Sequence, residues 1–344
     1  MLFSKKENLY LKENNLYLQP SKSIFMRARS IRNFFILIIA SCATATSSYA
    51  QDASRIFIEP DGWSIGTNIG LTDLWGDVGT KVFLDHYTNS KYFDKVAAMG
   101  GMFGRYTIHP CLGLKFGVNY GVLYATDEWN YDKAQYAPTQ GSDYYQRYAR
   151  QQKARASVFE GNFMVEFTPL RFNPEKERAN KRGQVVFGLG IGYFHFTPQN
   201  TVALGNKFIN TYDLHIEGDG FGPGFPPSYS LWQFCIPMSI AYRWDIGKHL
   251  NLGFEFMYRK TFTDYLDGVS GKYIDPAEYK KHLSASEAAT AALIQDKEYY
   301  HNLGQPNVAG NIRGNSSNND AYSSFSVTLY YKLLAREGKW WTRF

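Results

Sequence analysis

The chain has 344 residues, a net charge of +6 and a mean hydropathy of −0.37. By hydropathy alone this describes a soluble protein, with no run of the roughly 20 apolar residues that a membrane-spanning helix needs. The aromatic content opposes that reading: 26 Tyr, 25 Phe and 7 Trp exceed what one core of this size uses, and transmembrane β-barrels concentrate such rings in interfacial girdles.

In chain order, residues 1–25 are rich in Lys, Asn and Leu and do not resemble the start of an export signal, so Met26 is read as the true start. Arg27, Arg29 and Arg32 then precede a short apolar run, 34–40, and the small-residue site Ser48-Tyr49-Ala50 before Gln51. That pattern is a cleaved secretory signal over 26–50. Two mature N-termini remain open, Gln51 or a lipidated Cys42 in the box Ile39-Ala40-Ser41-Cys42. Downstream, Cys111 and Cys235 read as small apolar packing residues.

The region 51–344, with a core at 62–333, shows repeated period-two alternation, which in a strand sends one residue class to each face. Eight segments carry it, near 62–72, 96–108, 112–125, 156–168, 184–197, 229–244, 249–262 and 321–333. Each approaches or exceeds the about 9–11 residues of a tilted membrane-crossing strand. The clearest apolar face is Trp232, Phe234, Ile236, Met238, Ile240, Tyr242 and Trp244, with rings at both ends as two interfaces require. The expected fold is therefore all-β: a transmembrane antiparallel β-barrel of about eight strands, with no unpaired edge left in lipid.

The connections support this. Short turns at 109–111 and 245–248 alternate with long segments at 73–95, 126–155, 198–228 and 263–320, as short periplasmic turns and long extracellular loops do. The basic segment 169–183 is a longer inner-side turn. Basic residues there, and Lys332, Arg336, Lys339 and Arg343, read as a solvated rim able to meet lipid headgroups or an anionic partner.

Inward positions carry Arg105, Lys115, Glu160, Glu166, Arg243, Glu255, Arg259 and Lys332. Eight strands leave room only for side chains, and an unpaired buried charge is costly. The sequence thus predicts a lumen plugged by paired charges, with conduction disfavoured.

Chemistry is thinly represented. His86, His109, His195, His215, His249, His282 and His301 show no metal-ligand spacing, and no Gly-x-Ser-x-Gly, His-Glu-x-x-His or phosphate loop is present. A Ser–His–acid site built across strands would have no motif to announce it. Asp264, Asp267 and Asp275 lack the spacing of a known calcium loop and read as turn residues. The prediction is a non-enzyme without cofactor or metal. No aromatic-basic motif points to nucleic acid.

The stretch TFTDYLDGVSGKYID (261–275), followed by RGNSSNNDAY (313–322), resembles the paired hallmark of an outer-membrane β-barrel family that includes PorG, a component of the type IX secretion system. The likeness extends over GTNIGLTDLWGDVG (66–79), VEFTPL (165–170), FGLGIGYFHFTPQN (187–200), LHIEGDG (214–220) and IPMSIAYRW (236–244), and so covers most of 62–333. It implies a scaffold or tether in protein secretion, set in outer-membrane lipid, with the periplasmic PorK/PorN ring and a large translocon barrel as partners and no catalytic residues.

On this resemblance the two hallmark stretches close the base of one outer loop. The loop-base residues are Thr263, Asp264, Tyr265, Asp267, Arg313, Asn315 and Asp320, with Arg313 available to the Asp carboxylates. Two features depart from the family: an Ala-rich, helix-prone stretch at 282–304 and a tail, 333–344, running past the last alternation. The alternative is a stand-alone surface barrel, adhesin-like or a small porin, that binds ligands with loops 126–155 and 263–320. A tether would instead use the inner turn 169–183 and the tail.

Overall fold

The computed structural model describes residues 62–80, 97–136, 142–172, 182–246, 249–301 and 304–333. The extension 1–25, the signal 26–50, Cys42, Gln51, His86, residues 173–181 of the inner turn and residues 334–344 of the tail lie outside the described residues.

Alternation becomes eight barrel strands: β1 (Gly62–Trp75), β2 (Ala98–His109), β3 (Leu112–Thr126), β4 (Lys153–Phe167), β5 (Gly183–Thr201), β7 (Trp232–Asp245), β8 (Leu250–Thr261) and β9 (Ala321–Lys332). A three-residue strand, β6 (Phe208–Asn210), pairs only with the outer end of β5, through Thr201↔Phe208. Each barrel strand pairs antiparallel with its neighbours, and the β4–β5 pairing, together with β1 on β9, closes the sheet. This is a closed eight-stranded antiparallel barrel of the outer-membrane type.

The exterior is apolar. Met102 is 73% exposed and Ile69 68%, values a water-soluble barrel would not tolerate in one continuous belt. Rings gather at the strand ends: Trp63 with Tyr106 and Tyr242 with Trp244 at the inner ends, Tyr193 stacked on Trp232 at the outer ends. Trp232, Phe234, Met238, Ile240, Tyr242 and Trp244 are all exposed, so this face of β7 points to lipid.

The inner face is so crowded that some positions have no room for a side chain. A Cβ at Gly70 would lie 2.2 Å from the Phe325 carbonyl oxygen, and one at Gly190 2.1 Å from that of Phe163.

The lumen has two layers. In the inner layer Glu166 accepts from Arg105 Nε at 2.6 Å and also bonds Arg243. Lys115 binds both Glu255 oxygens at 2.8 Å. Asp245 takes Lys332 at 2.9 Å and Arg171 at 3.0 Å. At mid-depth Glu160 accepts from Arg259 Nε at 2.8 Å and from the Tyr322 hydroxyl at 2.5 Å.

Toward the outer end the filling turns apolar, with Met99, Leu123, Val158, Phe194 and Phe196 packed against Leu266 and Val269 of the long outer loop. Paired charges therefore fill only part of the lumen, and the outer loop supplies the rest of the plug. Lys332 also departs from the expected solvated rim: it is 2% exposed and ion-paired, because the mouth of a narrow barrel shields it. Reconstituted in planar bilayers, the protein should show no sustained open-channel conductance; a stable conducting level would overturn the two-layer plug.

Candidate functional site: the outer loop cap

Outside the lipid belt the loops form a folded cap. It includes α1 (Tyr131–Tyr136) and α2 (Asp143–Arg150) in the β3–β4 connection, and α3 (Pro276–His282) and α4 (Ala285–Gln295) in the long β8–β9 connection. Asp275 caps α3 by accepting from Ala277 N at 2.8 Å, and Ser284 with Glu287 forms a capping box on α4. These satisfy helix-end amides that would otherwise lack partners. A small core of Leu214, Ile216, Tyr279, Ala288, Ala291 and Ile294 fastens α3 and α4 to the β5–β7 connection.

Arg150 joins three separate segments. Its Nε and Nη2 reach the two Asp127 oxygens at 2.9 and 3.0 Å, its Nη1 donates to the Arg313 carbonyl at 2.7 Å, and its Nη2 to the Asp77 carbonyl at 2.6 Å. Asp127 also accepts from Gly79 N and Gln152 N, each at 3.0 Å. Burial alone would lower the basicity of Arg150, but Asp127 more than offsets it and holds the guanidinium firmly charged. Such a planar fork can serve a bidentate carboxylate and two carbonyls at once.

The loop-base residues come together at the foot of the long loop. Asp320 N donates to the Thr263 carbonyl at 2.9 Å. Asp320 Oδ2 accepts from Leu266 N at 2.8 Å and Asp267 N at 3.2 Å; Asp267 accepts from Val269 N at 2.8 Å and, across the cap, from Val78 N at 2.9 Å. Asn315 N bonds the Asp77 carboxylate. Tyr265 stacks on Tyr229 with centroids 4.1 Å apart.

Arg313 does not serve the aspartates. Its Nη1 binds Glu217 at 2.7 Å and the Gly268 carbonyl at 2.9 Å. Glu217 also takes Ser270 N and Gly271 N at 2.8 and 2.6 Å, so the β5–β7 connection brings in the carboxylate that the sequence expectation sought among the aspartates. Asp264 has neither oxygen hydrogen-bonded. Burial, then the charges of Asp267, Asp77 and Glu217, pushes it up to about 9 despite the nearby Ser270 hydroxyl.

A cleft of about 950 Å³ opens between the β3–β4 connection and the long loop, lined among others by Arg147, Arg150, Tyr273, Glu298, Asn307 and Arg313. Its lining mixes both charges with amides, and no His or Cys lines it. Elsewhere in the cap His215 Nδ1 lies 3.2 Å from Asp219, but no hydrogen bond of the described residues joins that imidazole to a hydroxyl or thiol. Among the described residues no group of three or more His, Cys, Asp or Glu stands placed to hold a metal ion.

Sequence reasoning missed Glu217, Asp77, Asp127 and Arg150. Glu217 and Asp77 do lie within the stretches 214–220 and 66–79 that carry the resemblance, and for Arg150 the local signal is Asp143-Tyr-Tyr-Gln-Arg147-Tyr-Ala-Arg150, a short polar and aromatic run with an i,i+4 ion pair, which forms α2.

No family model and no curated protein matches the chain. Among solved structures it is similar to Ail, the attachment invasion locus protein of Yersinia pestis, with TM-score 0.34 and 8% identity over 80% of this chain and 99% of that one. It is similar also to neisserial surface protein A, with TM-score 0.33 and 7% identity over 79% and 97% of the two chains. The outer membrane protein OprG of Pseudomonas aeruginosa gives TM-score 0.34 and 10% identity over 80% and 97%. Likeness at this level carries no argument beyond itself, and the fold rests on the strand pairing described above.

Proposed function

We propose that this outer-membrane barrel is a non-enzymatic binding platform whose working surface is the outer loop cap. The observation that carries the reading is Arg150, which locks the β1–β2, β3–β4 and β8–β9 connections around one polar cleft. Loops fixed in this way bind without the ordering cost that free loops incur. Below them the plugged lumen offers no path for solute.

A second reading is a scaffold in protein secretion, of the PorG-like type IX kind, meeting a periplasmic ring and a translocon barrel. The support for it is that the two stretches carrying the family resemblance fold onto one another at Thr263, Asp267, Arg313 and Asp320.

One experiment separates the readings. A photo-crosslinking residue is placed at Asn318 in the cleft or at Arg182 on the inner turn, and intact envelopes are irradiated. The platform reading expects adducts from position 318 that disappear when Asn307 is replaced by Trp. Adducts from position 182 alone, containing periplasmic proteins, would overturn it in favour of the scaffold.

A further inference from the structure

Gly76 marks a crowded point at the foot of the long loop. A Cβ there would lie 2.4 Å from Asp267 Oδ2 and 2.6 Å from Asp320 Oδ1, so these two carboxylate oxygens stand within 5.0 Å of each other. Both side chains are buried, each 1% exposed. Three of their four oxygens are occupied by backbone amides, from Val78, Val269, Leu266 and Asp267 itself. The fourth, Asp320 Oδ1, has no hydrogen-bond partner.

Among the described residues no cation forms an ion pair with either carboxylate, although the charge of Arg150 acts against the rise at Asp267. The segment before β2 contributes Asp77, another acid, and the β5–β7 connection contributes Glu217, which is committed to Arg313. From α2, Arg150 is committed to Asp127 and two carbonyls, and Arg147 to Asp143 and the Asp77 carbonyl. The loop itself adds Asp264, with both oxygens unpaired, and Tyr265 and Tyr273, whose hydroxyls burial keeps protonated. Two buried carboxylates this close, with no ion-paired cation, do not both ionise; such pairs keep a proton.

We propose that Asp267 and Asp320 retain one proton between them and act as a latch that fastens the base of the long outer loop and releases it as the surroundings turn alkaline. The latch joins the β1–β2 connection to both ends of the β8–β9 loop, so its release loosens the floor of the cleft while the barrel stays closed. Burial, and then neighbouring acids, raise both groups above the ordinary carboxylate range. The sign follows: a carboxyl whose folded pKa is raised makes the fold bind more protons than the unfolded chain. Its contribution is fully present below the ordinary carboxylate range and is lost as pH climbs through the raised one.

The test uses the full chain in detergent micelles or nanodiscs. The rate of proteolytic cleavage within 262–320 is followed from pH 5.5 to 9.5 and normalised to an unstructured peptide. The expected result is a rise of about tenfold or more across that range, equivalent to one unit of proton linkage, while the barrel stays intact. Asp320→Asn places an amide donor where the shared proton would sit, so its rise across the range should be at least about tenfold smaller than that of the wild type, leaving only the part owed to Asp264, and the infrared carboxylic-acid band of the wild type should shrink. If Asp320→Asn does not fold, Asp267→Asn carries the same expectation. A flat wild-type profile, or an unchanged slope in the Asn variant, would overturn the latch. So would protection restored at pH 9.5 by calcium alone, which would assign the site to a metal.

Discussion

Replacing Glu166 with Ala should destabilise the barrel by about 3–5 kcal/mol, the usual cost of breaking a buried ion pair from one side. The position is unusually exposed to that cost because one carboxylate serves two guanidinium groups, those of Arg105 and Arg243, and is itself 1% exposed. Without it, two cations face each other in a lumen that cannot expand. The Arg105 guanidinium packs over Gly113, where a Cβ would meet its Nη2 at 3.0 Å. Denaturant unfolding of vesicle-inserted protein should show the loss as a lower midpoint. Glu166→Gln should recover part of it, because its amide oxygen still accepts from one arginine. A loss below about 1 kcal/mol for the Ala variant would mean that the inner layer is hydrated and the charges are screened.

The second large effect is expected in the cap and not in the barrel. Arg150→Lys keeps the charge but removes the planar fork, and a single ammonium cannot reach both Asp127 oxygens together with carbonyls from residues 77 and 313. Losing hydrogen bonds to a charged group costs about 1.5–3 kcal/mol each. We therefore expect a drop of about 2–3 kcal/mol in the local opening free energy, or roughly 30- to 150-fold faster cleavage in the β3–β4 connection. The unfolding midpoint of the strands should barely move. Equal sensitivity of cap and barrel would show that they unfold as one unit and that Arg150 is not a local joint.

The barrel was readable because its code is local. Alternation over 112–125 predicts β3, Leu112–Thr126, almost to the residue, since lipid on one side and a crowded lumen on the other impose opposite demands on successive side chains. The same logic explains its failures. β4 begins at Lys153 and β5 continues to Thr201, beyond the expected 156 and 197. Above the lipid the alternation reverses its sense: His195, Thr197 and Gln199 face outward and are polar while Phe194 and Phe196 point into the core, so the outward apolar face that marks a membrane strand stops short.

In the cap the decisive contacts are non-local. Glu217 meets Arg313, and Asp127 meets both Arg150 and Gly79, with no periodicity to link the partners. The hallmark stretches did mark which segments meet, but not which atoms. The aspartates there accept from backbone amides, which no side-chain inventory displays. The apolar outer layer of the lumen is not legible in the strand pattern because part of it, Leu266 and Val269, arrives from a loop.

The seam where β1 meets β9, from Ser64↔Lys332 to Trp75↔Ala321, sets the order in which the chain can mature. It unites the first and the last of the described barrel strands, so the pairing of greatest sequence separation among them is the step that completes the barrel, and such pairings are slow. Until β9 is in place, β1 and β8 each present a bare row of amides and carbonyls that another chain could join. A chain without β9 is therefore open along one seam with two sticky edges, and the time before closure is when this protein most needs escort.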